Sequence, residues 1–186
     1  METLLVSFVT VTVAEIGDKT QLLSLVLAAR YRRPWPICIG VFAATLANHL
    51  AAGAAGVLLT HWLSPPVLRW LVGLSFLSVA IWALFPDKLD ERDAYRVSRN
   101  GVFVATLIAF FLAEMGDRTQ IATAMLGATH QPLWQVVAGT TSGMLVANVP
   151  VIFLGARFAQ RLPLRSMRVV AAMVFVALGS LILLLR

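Results

Sequence analysis

Ala14-Glu15-Ile16-Gly17-Asp18-Lys19-Thr20-Gln21 and Ala113-Glu114-Met115-Gly116-Asp117-Arg118-Thr119-Gln120 are one octet written twice, with Ile exchanged for Met and Lys for Arg. The second copy follows the first at an offset of 99 residues, and at that offset Trp35 meets Trp134, Gly40 meets Gly139 and Gly56 meets Gly155. Residues 1–85 and 102–186 are therefore two halves of equal length, joined by the charged segment 86–101.

The octets are set in oil. Of 186 residues 59% are hydrophobic and 13% charged, and the mean hydropathy is +0.84; a soluble domain carries about 25% charged residues. A bilayer span needs about 20 mostly apolar residues, and six such stretches are legible: Leu4–Ala29, Trp35–Leu59, Val67–Phe85, Val102–Ala128, Leu133–Phe158 and Val169–Leu185. Pro34, Pro36, Pro65, Pro66, Pro86, Pro132 and Pro163 punctuate the breaks, where a missing N–H costs least, and Pro150 falls inside the fifth stretch. The expectation is an all-α integral membrane protein with six transmembrane helices. Each half holds three spans, an odd number, so the second half lies upside down relative to the first. Inverted repeats are a plan of secondary transporters, whose substrate sites lie at the repeat interface; the alternative is a duplicated scaffold without transport. The lone Cys38 forms no internal disulfide, and no Cys/His cluster suggests zinc.

The net charge of +6 is distributed as a membrane protein distributes it, not as a nucleic-acid-binding patch. Arg30, Arg32, Arg33, Lys88, Arg92, Arg96, Arg99, Arg157, Arg161, Arg165 and Arg168 fall on one side of a six-span topology, whereas Arg69 and Arg186 fall on the other. The positive-inside rule puts the rich side in the cytoplasm and both termini outside. The N-terminus has no basic n-region of a signal peptide, so the first span is expected to stay in the mature protein.

Of nine acidic residues, only Glu15, Asp18, Glu114 and Asp117 lie deep in spans. Each costs on the order of 3 kcal/mol at a helix centre, so packing alone does not explain four of them. In a continuous helix, positions i and i+3 share a face, and Gln21 or Gln120 extends that stripe. If the first and fourth helices cross at the pseudo-two-fold axis, the four carboxylates converge. Lys19 and Arg118 then offset two of the negative charges, and the remaining two match one divalent cation. Carboxylate, amide and hydroxyl oxygens suit calcium, magnesium or manganese, whereas zinc and copper favour thiolate or imidazole. Thr20, Gln21, Thr119 and Gln120 supply such oxygens beside the acids. The competing reading makes Glu15–Lys19 and Glu114–Arg118 structural i,i+4 ion pairs. Gly17 and Gly116 either loosen the helix or merely allow close packing. Asn48, His49 and Asn148 are deep polar residues of the second and fifth spans, either hydrogen-bonded core residues or ligands and gates. Gly40/Ala44 and Gly139/Gly143 are small-residue pairs suited to helix packing.

The doubled E-x-G-D-(K/R)-(T/S) signature, Glu15–Thr20 and Glu114–Thr119, resembles that of the Gdt-type cation transporters, also grouped as the second calcium/cation antiporter family. The resemblance covers essentially the whole chain. It implies export of Mn2+, or Ca2+, in exchange for protons, with Glu15, Asp18, Glu114 and Asp117 as metal ligands. The other motif positions, Gly17, Lys19, Thr20, Gly116, Arg118 and Thr119, carry over with them. It further implies that the metal is cargo with no permanent cofactor, that the partners are metal, protons and lipid bilayer, and that the protein is no enzyme. The short N-terminus fits a bacterial inner-membrane member. The competing functions are export of small organic cations or amino acids, which calls for a spacious or aromatic pocket by the acids, and a non-transporting scaffold.

Overall fold

The computed structural model describes residues 1–85, 101–154 and 164–184, and among these every regular element is a helix. They are α1 (Glu2–Glu15), α2 (Lys19–Tyr31), α3 (Pro34–Trp62), α4 (Pro65–Ala83), α5 (Val102–Glu114), α6 (Arg118–Thr129), α7 (Leu133–Leu154) and α8 (Leu164–Leu184). Prolines open α3 and α4 at their first positions, where no intrahelical N–H is lost. Pro150 sits within α7, as the sequence suggested.

Three helices, α3, α4 and α7, are long and apolar enough to cross a bilayer singly. The expected second and third spans are recovered with shifted ends. Residues 155–158 of the expected fifth span lie outside the described residues, as does the charged segment 86–100 with Lys88, Arg92, Arg96 and Arg99. The first and fourth spans differ from expectation: neither is one continuous helix. Each is interrupted within its octet, giving α1 and α2 in the first and α5 and α6 in the second.

The helices pack in pairs that repeat at the offset of 99. Gly40 of α3 lies against Phe103 and Thr106 of α5, and Gly139 of α7 lies against Leu4 and Ser7 of α1. A Cβ on Gly40 would stand 2.8 Å from Thr106 Cβ, and one on Gly139 would stand 2.8 Å from Ser7 Cβ. Gly143 then meets Phe8 and Thr12, so α1 and α7 ascend in parallel. Elsewhere α3 approaches α6 backbone to backbone, Gly53 against Gly127 and Gly56 against Ala124, and α4 packs along α8 through Phe76 and Phe175.

The distribution of polarity is the reverse of a soluble protein's. Leu5, Val9, Ile39, Phe42, Leu50, Leu58, Trp70, Leu74 and Ile81 are exposed, while Glu15, Asp18, Glu114, Asp117, Arg118, Gln21, Asn48, His49 and Asn148 are buried. Large apolar side chains outside and ionisable groups inside suit a lipid solvent.

Candidate functional site

Glu15 is the last residue of α1. Ile16 is extended (φ −66°, ψ 116°), Gly17 has φ 85°, and the Asp18 N–H donates to the Glu15 carbonyl at 3.1 Å. These are the marks of a type II turn, whose third residue needs positive φ and so calls for glycine. The second octet repeats it: Met115 at φ −60°, ψ 120°, Gly116 at φ 73°, and Asp117 N–H donating to Glu114 O at 3.0 Å. No atom lies within 4 Å of a Cβ built on Gly116, so that glycine serves the backbone and not close packing. Of the two readings left open for these glycines, loosening of the helix is the one that both turns realise, and close packing is excluded at Gly116.

Two consequences correct the helical reading. Glu15 and Asp18 do not share a helix face, because the helix ends between them. Asp18 and Asp117 instead occupy the N-cap positions of α2 and α6, and Asp117 accepts from Thr119 N–H and Oγ1. Gln21 and Gln120 fold back so that their side-chain oxygens accept the Gly17 and Gly116 N–H groups at 2.9 and 2.7 Å. Each octet thus satisfies its own broken backbone.

The ion pairs run between the octets. Lys19 Nζ meets Asp117 Oδ1 at 3.0 Å, and Arg118 Nη2 meets Asp18 Oδ1 at 2.6 Å. The sequence alternative had paired each base with the glutamate of its own octet. The Arg118 guanidinium also lies 5.7 Å from the Trp82 ring centroid.

The two glutamates are held by the long helices. Glu114 accepts from Thr45 Oγ1 at 2.8 Å and from Asn48 Nδ2 at 3.0 Å; Glu15 accepts from Asn148 Nδ2 at 3.3 Å. Asn148 in turn accepts from Ser24 Oγ at 2.7 Å. Glu15 Oε2 is buried without a hydrogen-bond partner, as are Thr20 Oγ1 and both ring nitrogens of His49. All four acids are buried, and Glu15 lies within electrostatic range of Asp18, Asp117 and Glu114. Among the described residues no three His, Cys, Asp or Glu side chains are drawn into a closed metal cage. Glu15 and Glu114 end α1 and α5, where the helix dipole is negative and a cation is favoured. Sequence reasoning missed Thr45, Ser24 and Trp82; Thr45 was findable as a polar residue three before Asn48 in an apolar helix.

Residues 3–91 and 102–186 match the family described as "Divalent cation/proton antiporter GDT1". The chain belongs to that family. GDT1 proteins are transporters and not enzymes, and this member is a multi-pass membrane protein. It is 52% identical over 180 residues to a Vibrio cholerae protein named "Putative manganese exporter", covering 96% of this chain and 89% of the relative. A GDT1-like protein of Synechocystis is 27% identical over 191 residues, covering 89% of this chain and 88% of the relative. A Saccharomyces cerevisiae protein named "Divalent cation/proton antiporter GDT1" is 30% identical over 74 residues, covering 40% of this chain and 26% of its own length. No solved structure matches this GDT1 family member.

Proposed function

We propose that this GDT1 family member exports Mn2+ from the cytoplasm across the inner membrane in exchange for protons. The observation that carries the reading is the reciprocal pairing of Lys19 with Asp117 and Arg118 with Asp18, one partly buried and one buried ion pair that tie the octets together. Buried charge is expensive in a bilayer, and two such pairs beside two further acids suit a charged cargo.

The topology proposed is six spans in two inverted halves, 1–85 and 102–186, about the linker 86–101, with both termini extracytoplasmic. The parallel packing of α1 on α7 supports it, since the first and fifth of six alternating spans run the same way. Spans one and four are then the broken helices, with α1 and α5 ending at the site as half-helices do in other transporters.

Glu15, Asp18, Glu114 and Asp117 are the proposed cation ligands, with Asn48, Asn148, Thr20, Thr119, Gln21 and Gln120 as supporting oxygens. Lys19 and Arg118 occupy the aspartates when the cation is absent and release them when it enters. Protons and Mn2+ compete for the same carboxylate oxygens, so apparent metal affinity falls as pH falls, and an acidic exterior drives Mn2+ outward. The cation is cargo, with no resident cofactor.

Flux into proteoliposomes, with Mn2+, Ca2+ and Mg2+ in parallel and a trapped pH dye, tests the reading. Mn2+ movement with opposite proton movement is the expected result. Mn2+ crossing at full rate with no pH change and no response to an imposed gradient makes this a uniporter site and overturns the antiport.

A further inference from the structure

His49 is fully buried in α3, and neither of its ring nitrogens meets a hydrogen-bond partner. Leaving two buried polar atoms unsatisfied costs free energy that an apolar residue would avoid, so the imidazole calls for a reason.

The offset of 99 supplies one. Around the glutamate of the first octet three side chains from both halves form a chain of hydrogen bonds: Ser24 donates to Asn148, and Asn148 donates to Glu15. The equivalent residues around the glutamate of the second octet are Thr123, His49 and Glu114. That second chain is not made. Thr123 donates to the Thr119 carbonyl at 2.7 Å, and Glu114 is held by Thr45 and by Asn48, the residue before His49. The parts are nonetheless close in the fold. Thr123 Cγ2 lies 4.0 Å from a Cβ built on Gly53, one helical turn beyond His49 on the same face of α3. A neutral imidazole has one donor and one acceptor, which is what the middle of such a chain requires.

We propose that His49 is the partner of Glu114 in the other transport state: Glu114 passes from Asn48 and Thr45 to His49, and the Thr123 hydroxyl turns from Thr119 to the second ring nitrogen. The surroundings of the two glutamates thereby exchange arrangements, with the Ser24–Asn148–Glu15 chain made in one state and the Thr123–His49–Glu114 chain in the other. His49 is a positioning residue in this scheme. The inference rests on the two-state transport reading above.

The test is divalent cation flux in proteoliposomes by His49→Leu, His49→Asn, Thr123→Val and the double variant His49→Leu/Thr123→Val, each with its thermal midpoint in detergent. His49→Leu is expected to melt no lower than the native chain, because it removes two unsatisfied atoms. Its maximal flux is expected to fall about tenfold, the effect of one hydrogen bond lost from one of two states. His49→Asn, which copies Asn148, is expected to keep flux within about twofold of native, a rescue that a space-filling role would not give. Thr123→Val is expected to be slow, with the double variant no slower than His49→Leu.

Native-rate flux by His49→Leu overturns the proposal, as does a folded His49→Asn that is as slow as His49→Leu. If His49→Leu does not fold, His49→Asn against Thr123→Val decides by the same criteria. Native flux of Ca2+ or Mg2+ without Mn2+ overturns the manganese reading alone. A native chain that moves none of the three overturns transport, and His49 with it.

Discussion

Arg118 of the second octet and Asp18 of the first meet at 2.6 Å, with both side chains almost wholly buried. The mirrored pair, Lys19 with Asp117, is looser at 3.0 Å and leaves the lysine 20% exposed. Breaking a buried pair strands a charge and costs about 3–5 kcal/mol, whereas a partly exposed one costs less. Arg118→Met is therefore expected to lower the thermal midpoint in detergent well below that of Lys19→Met. The reverse order would show that the Lys19 pair carries the fold.

The acids are expected to be needed individually. Glu15→Gln, Asp18→Asn, Glu114→Gln and Asp117→Asn should each insert normally and lose most Mn2+ flux in proteoliposomes. Near-native flux in any two of them would sink the shared site.

The turn glycines give a conformational test. Gly116 has φ 73° with open space around it, so Gly116→Ala meets no clash and still pays the left-handed penalty of about 1–2 kcal/mol. Asn tolerates that region better, and Gly116→Asn is expected to melt above Gly116→Ala. Equal midpoints would mean that the turn is not retained.

Gly56 tests packing instead. A Cβ there would run into the Ala124 carbonyl, a backbone atom that cannot swing aside. Gly56→Ala is expected to destabilise by about 1–3 kcal/mol or more. Its thermal midpoint against that of the native chain checks this directly.

Topology is checked by cysteine labelling in a Cys38→Ser background. Asp93→Cys should resist an impermeant reagent in intact cells, since the basic residues around it favour the cytoplasm. Its labelling from outside would reverse the orientation.

Much of this was legible in the residues. The duplication, the long apolar helices α3, α4 and α7, and the isolation of four acids in oil all follow from composition and offset. The break at Gly17 was only half legible, because an apolar run on both sides reads as one helix by periodicity. The stronger signal was local: a glycine followed by aspartate, a helix-capping residue, inside such a run. The pairing of Lys19 with Asp117 could not be read at all. An i,i+4 spacing offers Glu15 a nearer partner in sequence, and only the tertiary crossing of two broken helices puts the lysine beside an aspartate 98 residues away.

Every embedded acid draws a donor from the opposite half: Arg118 for Asp18, Lys19 for Asp117, Asn148 for Glu15, and Thr45 with Asn48 for Glu114. Neither half is self-sufficient. A single three-helix ancestor would have had to find these donors in a second copy of itself, and gene fusion would have fixed a stoichiometry that the chemistry already demanded.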